Sequence, residues 1–160
     1  MFEKESYDGT RERNYERLLK QLEALIEDEP NTVANLSNSS ALLNQFLDRV
    51  NWVGFYLMDG EDELILGPFQ GLPACLRIKV GSGVCGTAVS EKTTQRVENV
   101  HEFPGHIACD ADTNSEIVVP LVKNDRVIGV LDIDSPELDR FDSLDESYLE
   151  AFAEILTKYL

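Results

Sequence analysis

The stretch Glu116-Ile-Val-Val-Pro-Leu-Val-Lys-Asn-Asp-Arg-Val-Ile-Gly-Val-Leu-Asp-Ile-Asp134 decides the fold. It holds two runs of branched apolar residues, the composition of strands. Between them stands Asn124-Asp125, a pair that tolerates the positive φ angles of a tight hairpin turn. Two strands joined that closely must run antiparallel, because a parallel pair needs a crossover of a dozen or more residues. Working outward, Asn51-Trp-Val-Gly-Phe-Tyr-Leu-Met58 reads as another strand. Asp59-Gly60 opens a turn, and Glu63-Leu-Ile-Leu-Gly-Pro-Phe69 is its hairpin partner. Arg77-Ile-Lys-Val80 and Arg96-Val-Glu98 are brief strands, and Val84 to Glu91 is a short helix behind the Gly81-Ser-Gly83 break. His101 to Thr113, with Pro104 and Gly105, is too polar and broken for a regular element.

Helical spacing marks both ends of the chain. From Thr10 to Glu29, Tyr15, Leu18, Leu19, Leu22, Leu25 and Ile26 recur every three or four residues, and Pro30 closes the run. Asn35 to Leu47 is a second amphipathic helix. A final helix starts at Ser143-Leu-Asp-Glu146, which has capping-box spacing, and presents Leu144, Tyr148, Ala151, Phe152, Ile155 and Tyr159 on one face. Residues 1–9 read as a flexible arm and the whole of 1–160 as one domain. Two helices, a meander of hairpin-linked strands and a closing helix make an α+β layout.

Composition narrows the function. The 160 residues carry 14 Lys+Arg against 30 Asp+Glu, a net charge of −16. Such a chain repels phosphate backbones and anionic membrane surfaces, so neither nucleic acid nor membrane is an expected partner. No apolar run reaches the roughly 18 residues of a membrane span. The acidic start Met1-Phe-Glu-Lys-Glu-Ser is no signal peptide. The expected compartment is the cytoplasm, where a disulfide is transient and catalytic rather than structural.

The chemistry-bearing residues fall into three groups. Cys75, Cys85 and Cys109 lie outside the apolar core stripes and form no CxxC motif. As isolated cysteines they read as small buried hydrophobes. Their settings beside Pro73, in a glycine turn and in a loop with His106 and Asp110 suggest reactive thiols instead. His106-x-x-Cys109 is the one pair with zinc-ligand spacing, too little for a tetrahedral site. Gly81-Ser-Gly-Val-Cys-Gly86 matches GxGxxG, but with antiparallel surroundings it reads as a tight turn into a helix. That places Cys85 at a helix N-terminus, where the dipole should lower its pKa and free amides could hold a carboxylate. Cys109, beside Asp110 and Asp112, should have its pKa raised.

Asp132 and Asp134 share a strand face with Ile128 and Val130. Either the strand end emerges into water, or the two carboxyls are buried together and one is pushed toward protonation. For Glu116, a plain two-residue turn pairs it with Ile133 and sends it to the opposite face. A longer loop, or a bulge at Pro120, shifts the parity and brings the three carboxyls together. Trp52 and Tyr56 share a face, as sheet core or as an aromatic wall for a sulfur-bearing ligand.

Six stretches, in order, resemble the free methionine-(R)-sulfoxide reductases, a family built on the GAF domain: Asn51-Trp-Val-Gly-Phe-Tyr56, Leu66-Gly-Pro-Phe-Gln-Gly-Leu-Pro-Ala-Cys75, Gly81-Ser-Gly-Val-Cys-Gly-Thr87, Phe103-Pro-Gly-His-Ile-Ala-Cys-Asp110, Asn114-Ser-Glu-Ile-Val-Val-Pro120 and Gly129-Val-Leu-Asp-Ile-Asp-Ser135. The resemblance implies a six-stranded antiparallel sheet flanked by helices, often dimeric. It implies reduction of free L-methionine-(R)-sulfoxide, recycled by thioredoxin, with no metal or organic cofactor. Cys109 corresponds to the attacking thiol and Cys75 to the usual resolving thiol, which leaves Cys85 as a second resolving thiol or a modulator. Glu116, Asp132 and Asp134 correspond to substrate contacts, and Trp52 to the aromatic that packs the methyl end. The competing class is a non-catalytic GAF sensor of small ligands, which needs no set of three cysteines. A zinc-stabilised interaction protein is a third alternative.

Overall fold

In the computed structural model, which describes residues 2–160, two helices come first: α1 (Arg11–Ile26) and α2 (Thr32–Phe46). The strands are β1 (Trp52–Asp59), β2 (Glu63–Gly71), β3 (Arg77–Lys79), β4 (Gln95–Val97), β5 (Ser115–Lys123) and β6 (Arg126–Ser135). Helix α3 (Gly83–Glu91) lies between β3 and β4, and α4 (Ser143–Thr157) closes the chain. All six strands form one antiparallel sheet in the order β3-β2-β1-β6-β5-β4. The α+β expectation therefore holds.

Helices α1, α2 and α4 cover one face of the sheet. Leu18, Leu22 and Ile26 of α1, Leu36 and Leu43 of α2, and Leu149, Phe152 and Leu156 of α4 pack there. They meet Val53, Phe55, Ile117, Leu131 and Ile133 from the sheet. The α4 stripe differs from the expected one. Phe152 is on it, but Leu144, Tyr148, Ala151, Ile155 and Tyr159 are only partly buried, and the buried stripe is instead Leu149, Phe152, Ala153 and Leu156. The capping box is Asp142 with Asp145, not Ser143 with Glu146. Aspartate outcompetes the neighbouring serine because its carboxylate also reaches Arg11, at 2.8 Å. Helix α2 likewise starts ahead of the apolar pattern, because the Asn31 side chain caps it. Met1, the first residue of the expected arm, lies outside the described residues. Tyr7 of that arm packs edge-on against Phe46.

The opposite face carries α3 and the two long loops, 72–76 and 103–113. Its apolar cluster contains Trp52, Tyr56, Leu64, Ile78, Val84, Ala88, Val118 and Val130. The register of the central hairpin decides what else points there. Asn124 (φ 52) and Asp125 (φ 60) form the two-residue turn, and Lys123 pairs with Arg126 and Val122 with Val127. One step further the register shifts, and Leu121 pairs with Gly129. The bulge is in β6 at Ile128, not at Pro120. Gly129 suits it, since a Cβ there would run into the Tyr56 carbonyl. The extra residue turns Ile128 onto the helical face, away from Val130, and pairs Glu116 with Asp134.

Candidate active site

That parity change assembles the site. Glu116 and Asp132 are each 6% exposed and Asp134 is half-buried, all on one face of β5 and β6. They line one small pocket together with Trp52 and Tyr56 of β1, Ser82 to Cys85 at the start of α3, and His106, Cys109 and Thr113 from the long loop. Trp52 stacks on Phe69 (5.1 Å) and on Tyr56 (5.9 Å). Its indole nitrogen donates to the Leu72 carbonyl and the Tyr56 hydroxyl donates to the Cys75 carbonyl, so both aromatics are fixed to the Cys75 loop. They are sheet core and pocket wall at once.

Cys109, which lines this pocket, is joined in a disulfide to Cys75 next to Ala74 of the lining, their Cα atoms 5.7 Å apart. His106-x-x-Cys109 is thus no metal pair in this state. Cys85 departs from the sequence reading twice. It is buried in the apolar cluster, and its thiol is pushed well above the ordinary value, first by burial and then by Asp132, Glu116 and Asp134. Loss of hydration and three nearby carboxyls outweigh the dipole of a short helix.

Burial is also the main force on the carboxyls. It raises Glu116 and Asp134 well above the usual range, with Asp132 adding repulsion. Asp132 is raised too, but hydrogen bonds from Glu116, Cys85 and Asp134 oppose the shift. All three carboxyls are therefore pushed toward the neutral form, Asp132 the least. The His106 imidazole, its pKa lowered by burial and by His101, lies 3.9 Å from Glu116 and is no ion-pair partner. Cys85, Glu116 and Asp132 hold three donor atoms within 4.8 Å of one another, but a cation there would have to displace those protons.

Three residues that sequence spacing does not reveal hold the loop to the carboxyls. Asn51 donates to Asp110 Oδ2 (2.9 Å) and to Thr113 Oγ1 (3.0 Å). Thr113 donates to Asp134 Oδ2 (3.2 Å). Ile107 folds over Gly83, whose positive φ (62°) and missing Cβ let the loop approach; a Cβ would meet Ile107 at 3.0 Å. In this disulfide-bonded form the pocket has about 40 Å³ of free space, room for a water or two. Asp132 Oδ1 and Asp134 Oδ1 are buried and have no hydrogen-bond partner among the described residues. Such oxygens suit a cationic ligand group.

Comparison with known proteins agrees with this geometry. Residues 34–160 match the GAF domain. The chain is 53% identical to the free methionine-R-sulfoxide reductase of Escherichia coli over 91% of its length and 88% of the relative's. It superposes on the Staphylococcus aureus fRMsr in complex with substrate with a TM-score of 0.88 at 58% identity, covering 98% of this chain and 99% of that one. The Neisseria meningitidis free methionine-R-sulfoxide reductase in complex with its substrate gives 0.94 at 45% identity, over 99% and 95%. The chain belongs to the GAF-domain family and, within it, to the free methionine-R-sulfoxide reductases.

Proposed function

We propose that the chain reduces free methionine-(R)-sulfoxide to methionine, with Cys109 as nucleophile, Cys75 as resolving thiol and Glu116 as proton donor. The observation that carries this reading is the Cys75–Cys109 disulfide, whose Cys109 lines the same pocket as Glu116, Asp132 and Asp134. A sulfoxide oxygen is a poor leaving group until protonated. Glu116 holds a proton well above the usual carboxylate range and is the group to supply it. The Cys109 thiolate attacks the sulfoxide sulfur; as the protonated S–O bond of that adduct breaks, the oxygen bonds to the Cys109 sulfur, the Cys109–methionine S–S bond cleaves, and methionine departs to leave Cys109 as a sulfenic acid. Cys75 then attacks that sulfur, water leaves, and the disulfide forms.

The substrate ammonium suits the unpartnered oxygens of Asp132 and Asp134, and Trp52 and Tyr56 face the methylthio end. The substrate carboxylate suits the amides of the first turn of α3, from Gly83 on, since the Ser82 amide already donates to the Lys79 carbonyl. A peptide-bound methionine sulfoxide lacks the free ammonium and carboxylate that these two ends would hold. Thioredoxin resets the two thiols, which requires a reducing compartment such as the cytoplasm.

The test is a thioredoxin-coupled NADPH assay with free methionine sulfoxide. Prereduced Cys109→Ser should release no methionine, a loss beyond about 10⁴-fold, whereas Cys75→Ser should release one per site. A full single turnover by Cys109→Ser would overturn the assignment. Ligand binding without methionine formation by the unmodified protein would favour the sensor class.

A further inference from the structure

Large apolar side chains exposed on a monomer are normally scattered singly, and a cluster marks an interaction site. Seven such side chains are exposed among the described residues, and three of them gather at the disulfide. Leu72 (58% exposed) and Leu76 (71%) bracket Cys75, and Ile107 (37%) stands two residues before Cys109. The bond holds the two segments together, with Cα atoms 5.7 Å apart. A half-exposed disulfide is thus ringed by leucine and isoleucine on a chain of net charge −16.

The ring's occupant follows from the electrons the bond needs. Cys85, the remaining thiol, is buried, and attack by one internal thiol would only exchange one disulfide for another. Reduction takes two electrons from outside. A small anionic thiol meets the repulsion of the whole chain and gains nothing from the ring. A folded dithiol protein with an uncharged rim around its nucleophile gains apolar contact at the point of attack. We propose that Leu72, Leu76 and Ile107 form the docking face for such a dithiol protein, a role that rests on the reductase reading above. The partner's thiolate attacks one sulfur, the Cys75–Cys109 bond breaks, and an intermolecular disulfide forms. The freed cysteine takes a proton. The partner's second thiol then attacks the mixed disulfide, releases the other cysteine as a thiol, and the partner leaves oxidised.

Leu76 is the residue to test, because its side chain does not line the pocket and its carbonyl, which pairs with the Leu66 amide, survives substitution. Thioredoxin with its NADPH-linked reductase is one probe and dithiothreitol the other. Leu76→Glu should lower kcat/KM for thioredoxin about tenfold or more and Leu76→Ala by less, with dithiothreitol-supported turnover unchanged. Val33→Glu, an equally exposed site on α2 across the sheet, should change neither. Unaltered thioredoxin kinetics in Leu76→Glu overturn the docking face. So does an equal fall with both reductants, or a changed sedimentation mass, which would make the ring a contact between copies. Failure of the unmodified protein to form methionine even with dithiothreitol defeats the reductase reading itself.

Discussion

Strand β6 sends Leu131 and Ile133 to one face of the sheet and Val130, Asp132 and Asp134 to the other, and the two faces are filled by opposite rules. Behind the sheet, three helices close an aliphatic and aromatic core whose buried polar groups are mostly paired: Tyr15 donates to Asp145, Asn35 to the Glu29 carbonyl, Ser40 to the Leu36 carbonyl. In front, apolar packing surrounds a patch of carboxyls and thiols that stays unsatisfied. Of the four buried side-chain atoms without a partner among the described residues, Asn51 Oδ1, Asp132 Oδ1 and Asp134 Oδ1 lie on this side. The back face holds the structure and the front face holds strain that a ligand can relieve.

Truncation behind the sheet should therefore cost stability and spare chemistry. Phe152 is fully buried between α4 and the sheet. Phe152→Ala should destabilise the fold by about 3–5 kcal/mol, lowering Tm by roughly 2–4 °C for each kcal/mol. Methionine release per folded, prereduced molecule should stay within about twofold of the unmodified rate. A loss of single-turnover rate as large as the loss of stability would erase the distinction between the faces.

The front face should respond in the opposite sense. Glu116→Gln removes the proposed proton donor and should slow methionine formation by about 10²-fold or more. The same change should stabilise the protein at neutral pH by about 0.5–2 kcal/mol. Glu116 has its folded pKa raised above the unfolded value, so its contribution is fully present below the ordinary carboxylate range and lost as pH rises through the raised pKa. Glutamine mimics the protonated form, so the Tm gain should be largest at pH 8 and vanish near pH 4. Asp142 behind the sheet has the reverse sign. Its hydrogen bonds with Arg11 hold its pKa low, so what it adds is present above the usual aspartate range and fades in acid. Half-exposed, it adds little. A Glu116→Gln variant no more stable at pH 8 than at pH 4 would show that burial of the carboxyl carries no cost.

How much of this could be read from residues alone divides along the same line. Helices α1 and α2 and the hairpins show their periods and turn pairs, and those signals are local. The convergence of Glu116 with Asp132 and Asp134 was open, because parity depends on one inserted residue. Gly129 inside a strand was the available sign of the bulge, but Pro120 competed with it as a breaker. Cys85 misleads because a helix N-terminus is visible in sequence and burial beside carboxyls from two other strands is not. The one-residue displacement of the α4 cap has the same origin: Asp142 and Ser143 both cap well, and Arg11, 131 positions away, favours the aspartate. Asn51, Asp110 and Thr113 come together over about sixty residues of chain, with no local pattern to announce them.

That last network gives the smallest effect, and the one that bears most directly on why the front face tolerates its carboxyls. Thr113 is buried, accepts from Asn51 and donates to Asp134, and its hydrogen bond opposes the upward shift of Asp134. Thr113→Val keeps the shape and removes the hydroxyl. Asp134 then titrates still higher, and less of it is ionised to meet the substrate ammonium. One such hydrogen bond is worth about 1 kcal/mol, so KM for methionine sulfoxide should rise about fivefold at pH 7, with kcat nearly unchanged. Raising the pH should restore KM, because it ionises Asp134 in the variant as well. A KM that rises equally at every pH would mean that Thr113 acts by placing the loop, and the charge on Asp134 would lose its role in binding.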